Sequence, residues 1–148
     1  MKLPNGWKLR KFEDVVEVAS GQVSPLTEPY KSFIHIGPEN VERGGGRLVD
    51  LKTAEDIGLR SGKYLFDEDA IVYSKIRPNL NKVCFPKFKG ICSADMYPLW
   101  VKNGLDSQFL FIFLRSPFFV KQATICSMRT GLPKINRKEL NSLNIPVP

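Results

Sequence analysis

Histidine and cysteine are scarce in this chain of 148 residues: His35 is the only imidazole, and Cys84, Cys92 and Cys126 are the only thiols. An odd number of cysteines with no Cys-x-x-Cys pair argues against a disulfide framework, and so few ligands argue against a structural zinc site. The three thiols read as ordinary buried groups. Long apolar runs are missing too. The longest is Phe109-Leu110-Phe111-Ile112-Phe113-Leu114, far short of the roughly 20 residues a membrane span needs. The segment Met1-Lys2-Leu3-Pro4-Asn5-Gly6-Trp7 lacks the apolar stretch of a signal peptide. The expectation is a soluble, cytoplasmic protein with no membrane partner. No repeat, low-complexity tract or Pro/Gly/Ser linker divides the chain, so residues 1–148 read as one domain. Hydrophobic residues make up 43% of it, with ten Phe and two Trp, enough apolar material for a core and too much for a disordered tail.

Negative charge is scarce in one half only. Residues 1–74 carry 10 Lys/Arg against 12 Asp/Glu, whereas residues 75–148 carry 12 against 3. The overall charge of +7 thus comes from the second half. A one-sided basic field is the footprint of a protein that meets phosphate or another anionic surface. Two blander readings stay open: charge that keeps the domain in solution, and a basic face that docks an acidic protein partner.

Phe12, Val15, Val16 and Ala19 fall at helical spacing, which predicts a short helix ended by Gly21. Ser32 to Val41 reads as a strand, and Arg43-Gly44-Gly45-Gly46-Arg47 as a turn carrying two arginines. Tyr64 to Arg77 reads as strand, turn, strand, with Asp67-Glu68-Asp69 as the turn. In its second strand Ala70, Val72, Ser74 and Ile76 share one face, and Ile71, Tyr73, Lys75 and Arg77 the other. Lys82 to Lys89 continues the sheet at an edge, where Pro86 is tolerated, and Ile91 to Val101 supplies one more strand. Asp106 offers an N-cap to a helix through Leu114. Ser116-Pro117 opens a second helix to Cys126, and Asn136-x-x-Glu139 is a capping box for a third. The final residues, 143–148, read as extended. Strands early and helices late place the chain in the α+β class, a twisted, mainly antiparallel or mixed sheet with several short helices.

No reaction assembles from these residues, and no cofactor is expected. The glycine-rich turn and Pro-Pro-aromatic loop of an amino methyltransferase are absent; Thr27-Glu28-Pro29-Tyr30 lacks the second proline. A Gly-x4-Gly-Lys-Ser/Thr phosphate loop is absent as well, because no lysine follows Gly44-Gly45-Gly46. Glu39, Asp50 and Lys52 are the nearest approach to a metal-dependent nuclease, a short pattern that arises often by chance. His35, between Ile34 and Ile36 in an apparent strand, reads as a surface or hydrogen-bonded histidine before it reads as a base.

The basic stretches carry more. Ser74 to Lys82 sets Lys75 and Arg77 on one strand face, with Pro78 holding Arg77 extended, then adds Asn79, Asn81 and Lys82. Lys and Arg neutralise phosphates or reach guanine edges, and Asn can pair with adenine in the major groove. Arg129 to Lys138, with Lys134 and Arg137, leads into a helix N-terminus, where free N–H groups attract phosphate. These residues point to a binding domain for nucleic acid.

Across these stretches the sequence resembles a target recognition domain of the specificity subunit of type I restriction–modification systems. The likeness is carried by Leu3-Pro4-Asn5-Gly6-Trp7-Lys8 with Phe12-Glu13-Asp14-Val15, by Ser74 to Val83, by Gly90-Ile91-Cys92-Ser93-Ala94-Asp95, and by the run from Thr130 to Pro148, in family order. The resemblance implies the fold of a DNA methylase specificity domain and sequence-specific binding of double-stranded DNA without catalysis. In that family two such domains, separated by long helices, each read half of a split site. The implied partners are DNA methyltransferase (modification) subunits and restriction/translocase subunits. This chain matches one half-site reader that ends before a spacer helix, with two expectations open: the N-terminal domain of a longer subunit, or a naturally half-length subunit. The resemblance further assigns Lys75, Arg77, Lys82, Arg129, Lys134 and Arg137 to backbone positioning. It leaves Arg43, Arg47, Lys87 and Lys89 for base or groove contacts.

Overall fold

Pairing across the fold, more than local composition, decides where each strand begins and ends: the aromatic run 109–114 is helical, whereas residues 8–11, with no β-branched or aromatic side chain, form a strand. The computed structural model describes residues 2–128 and 131–148. Strand β1 (Lys8–Lys11) runs into a one-turn helix, α1 (Phe12–Val15), and then β2 (Val16–Val18). The helix expected over 12–19 therefore stops halfway. Val16 and Val18 pair with Val101 and Leu99 of a distant strand, β9 (Met96–Val101), and both are buried. Stiff β-branched side chains suit that ladder better than a helix interior.

The middle of the chain adds β3 (Ile34–Ile36), β4 (Lys52–Thr53), α2 (Ala54–Ile57), β5 (Tyr64–Phe66), β6 (Ile71–Ser74), β7 (Val83–Cys84) and β8 (Gly90–Cys92). One four-stranded sheet has the order β2-β9-β6-β7 and a second the order β4-β3-β8-β5. All the pairings are antiparallel except β3 with β8. The turn at 67–69 carries the chain from the second sheet to the first, so β5 and β6 do not pair. The strand expected over 91–101 is likewise two strands in two sheets. Between them the Asp95 N–H donates to Ser93 Oγ at 3.1 Å and the Met96 N–H to Ser93 O at 3.0 Å. The strand expected over 82–89 shrinks to β7, an edge strand as Pro86 suggested, because Lys87 turns left-handed at φ +64°.

Strand β6 lies inside both layers. Ile71 and Tyr73 enter one core with Phe12, Leu99, Leu110 and Phe119, while Ala70 and Val72 enter another with Ile36, Phe66 and Met96. The alternation read from the sequence is thus real, with both faces covered. Phe119 organises the larger core, its ring 5.4 Å from Phe113, 5.9 Å from Tyr73 and 6.2 Å from Phe12.

Three helices begin where their caps predict. Asp106 accepts the Phe109 N–H at 2.9 Å for α3 (Ser107–Leu114), and Ser116 accepts the Phe119 N–H at 3.3 Å for α4 (Pro117–Cys126). Asn136 and Glu139 exchange bonds of 2.8 and 3.0 Å at α5 (Arg137–Ser142). The last strand, β10 (Asn144–Val147), returns to pair with β1. No single helix among the described residues is long and apolar enough to cross a membrane.

Candidate nucleic-acid interface

The two basic stretches, far apart in sequence, meet through the backbone. Ile76 and Lys134 form an isolated antiparallel bridge. On either side of it the Arg77 N–H donates to Pro133 O at 2.8 Å and the Ile135 N–H to Lys75 O at 2.9 Å. Lys75 and Arg137 both pack against the Tyr97 ring, their cationic groups 5.0 and 5.3 Å from its centroid. Burial lowers the Lys75 ammonium from its ordinary pKa; Asp95 opposes the shift, while Lys134 and Arg137 add to it. Partly buried cations in mutual repulsion gain from an incoming anion.

Arg77 is not extended. Its φ of +44° and the +53° of Asn81 bracket a 3-10 turn at Pro78–Leu80. Pro78 keeps its predecessor out of the right-handed helical region. The bond to Pro133 and the Leu80 N–H returning to Arg77 O at 2.9 Å then hold Arg77 in the left-handed one. Arg77, Asn81 and Lys87 are three of the five non-glycine residues with positive φ among the described residues. Strain of this kind concentrates where a surface is held ready for a ligand.

A second group gathers on the tri-glycine turn. The Gly44 N–H donates to Asn81 O at 2.8 Å, and Arg115 Nε donates to Gly44 O at 2.8 Å. Asn81 Nδ2 closes the triangle on Arg115 O at 3.3 Å. Arg115 also covers Phe111 at 4.8 Å; Phe111 meets Phe85 edge-on at 5.9 Å, and the Lys87 ammonium lies 5.3 Å from the Phe85 ring. Arg43, Arg47, Asn79 and Lys87 are exposed around this assembly, with Arg47 Nε 3.3 Å from Glu42 Oε1. Sequence reasoning missed Arg115, whose only signal was a basic residue closing a helix in the positive half, and Tyr97, which had none.

Other predicted positions lie apart or face inward. Lys82 Nζ donates to Pro38 O at 2.8 Å, and the Arg137 guanidinium donates to the carbonyls of Val18 and Ala19. Both brace the fold with part of their donor sets. Lys89 stands in a separate groove with Glu17, Asp67 and Trp100, and Arg129 lies outside the described residues. His35 departs from the expectation of a surface or hydrogen-bonded group. It is 4% exposed, and neither ring nitrogen has a partner among the described residues. Burial lowers its pKa to about 4, with Lys63 adding to the effect and Glu39 opposing it. As for Glu39, Asp50 and Lys52, no three His, Cys, Asp or Glu side chains among the described residues come together as a metal site.

Comparison with known proteins bears on this surface. A family model described as the type I restriction modification DNA specificity domain matches residues 4–148. The chain is 39% identical over 146 residues to the type I restriction enzyme EcoDI specificity subunit of Escherichia coli, covering 99% of this chain and 32% of that protein. The fold matches the HsdS subunit of Thermoanaerobacter tengcongensis at a TM-score of 0.82 and 23% identity, over 100% of this chain and 39% of that one. It also matches the type I restriction–modification S subunit of M. genitalium at a TM-score of 0.59 and 17% identity, over 99% of this chain and 36% of that one. The chain spans about a third of the length of the curated relative.

Proposed function

The chain belongs to the family of type I restriction–modification DNA specificity domains, and from that membership we propose that it reads one half of a split site on double-stranded DNA and performs no chemistry itself. The observation that carries the reading is the bridge between Ile76 and Lys134. It merges the two basic stretches, and the hydrogen bond from Gly44 to Asn81 adds the arginine-bearing turn to the same surface. Phosphate contacts position a protein on duplex DNA, and side chains on projecting turns reach base edges. Lys75, Arg77 and Lys134 are assigned to the backbone, together with Arg129 and the free donors of Lys82 and Arg137. Arg43, Arg47, Asn79 and Lys87 are assigned to base or groove contacts, with Lys89 engaging from the flank beside Trp100. In this reading residues 1–148 are one target recognition domain of a cytoplasmic specificity subunit. That subunit would direct DNA methyltransferase and restriction/translocase subunits to the site.

A salt-titrated binding assay on a pool of random-sequence duplexes, with sequencing of the bound fraction, tests this. The expected result is affinity falling steeply with salt and enrichment of a short asymmetric motif. Lys75→Ala and Lys134→Ala should weaken binding equally on all sequences and each reduce the salt slope by about one. Arg43→Ala or Arg47→Ala should relax the enriched motif. No binding at low salt would overturn the reading.

A further inference from the structure

One pocket of about 410 Å³, which gathers several charged side chains, is absorbed neither by the fold nor by the basic turns. It is lined by His35, Glu39, Lys63, Arg77, Lys82 and Asp95, together with two serines and four apolar residues. Two of its side chains are costly where they stand. His35 is 96% buried with both ring nitrogens unpartnered among the described residues. Lys63 is 5% exposed; its ammonium donates to Ser61 O at 3.0 Å and Ser61 Oγ at 2.6 Å. No carboxylate among the described residues lies within ion-pair distance of it. A buried ammonium with no carboxylate in contact, only Asp95 acting on it from a distance, and a buried imidazole without a partner are both unfavourable, and both are relieved by the same kind of ligand.

We infer that this pocket receives a single phosphate group, held by Lys63, Arg77 and the N–H of His35. Three cations line it against two carboxylates, and Glu39 is folded back on its own backbone. A Cβ placed on Gly37 would fall 2.4 Å from Glu39 Oε1. Arg77 connects the pocket to the proposed DNA surface, since the bridge at Ile76 sets its backbone. The phosphate is thus either one of the DNA backbone, in which case the inference rests on the function proposed above, or one of a free phosphate compound. A neutral imidazole supplies one N–H donor, and His35 is neutral at pH 7 because burial holds its pKa down. The charged groups around it are Lys63, Lys82, Arg77, Glu39 and Asp95 in the pocket and Lys52, its cross-strand neighbour. An added phosphate shifts that balance toward the protonated ring.

His35 is the only histidine, so the imidazole Cε1–H resonance of the chain is a single signal. It is followed while inorganic phosphate, and separately a random-sequence duplex, is titrated at constant ionic strength, with duplex binding read independently by anisotropy. The expected result is a saturable shift of the signal and a rise in the apparent pKa of the ring. Lys63→Met should weaken the response about tenfold or more. A signal moved by the duplex assigns the site to the DNA backbone, and one moved by inorganic phosphate alone assigns it to a free phosphate. A duplex that binds by anisotropy, with the signal unmoved by either probe, overturns the pocket and leaves the DNA reading intact. A signal moved by phosphate with no duplex binding does the reverse. A shift that persists unchanged in Lys63→Met also overturns the inference.

Discussion

Gly44, Gly45 and Gly46 are identical neighbours in sequence, yet alanine at each should have a different effect. Gly45 does not have positive φ, and a Cβ there meets nothing within 4 Å. Gly45→Ala should be neutral or stabilise by about 0.5 kcal/mol, by restricting the unfolded chain. Gly44 has φ +74°, and its Cβ would lie no nearer than 4.0 Å from Asn81 Nδ2, so Gly44→Ala bears only the left-handed penalty of about 1 kcal/mol. Gly46 combines φ +72° with a Cβ only 2.3 Å from Val83 O and 3.3 Å from the Phe111 ring. Val83 belongs to β7, whose pairing with Tyr73 of β6 prevents that carbonyl from moving freely. Left-handed strain and overpacking together give about 3 kcal/mol for Gly46→Ala. Urea unfolding of the whole chain reads this as a midpoint lowered by about 1.5 M if m is near 2 kcal/mol/M. Where the variant is still folded, its duplex affinity should drop as Arg43 and Arg47 shift, while Gly45→Ala keeps wild-type affinity. Equal losses at all three glycines would refute the steric argument.

Lowering the pH should destabilise the chain through His35. Its pKa is about 4 when folded against 6.5 unfolded, so the unfolded state takes up the proton first. The stabilisation is full above pH 6.5 and is lost as pH falls toward 4, by up to about 3 kcal/mol. His35→Gln should remove that part of the slope, as urea midpoints between pH 7.5 and 4.5 would reveal. Arg137→Ala, which cuts the links to the Val18 and Ala19 carbonyls, should lower stability by about 2 kcal/mol. Arg77→Ala, at an exposed side chain, should change stability by less than about 0.5 kcal/mol and register in duplex affinity instead. Phe119→Ala, fully buried among Phe12, Tyr73 and Phe113, should cost about 4 kcal/mol in the same unfolding assay.

Short-range chemistry made part of the fold legible in the chain. The caps at Asp106, Ser116 and Asn136 act on N–H groups three residues away, so α3, α4 and α5 were legible at their starts. The alternation through Ile71, Val72 and Tyr73 was legible because strand geometry turns successive side chains to opposite faces. The positive half was legible because charge can be counted without a fold. Tertiary structure alone decided the rest. Val16 leaves the helical pattern because β9, some 80 residues away, offers it and Val18 a backbone ladder. The segment 90–101 divides between two sheets because each part finds a different partner. The same holds for the candidate site: Arg77 is left-handed, and the basic stretches touch, because Pro133 and Ile135 bond to the strand end at Lys75 and Arg77. Lys82 and Arg137 turn partly inward because carbonyls from remote segments await them. A hydrogen-bond partner within four residues can be read from the chain, whereas one brought across the fold exists only once the core has closed.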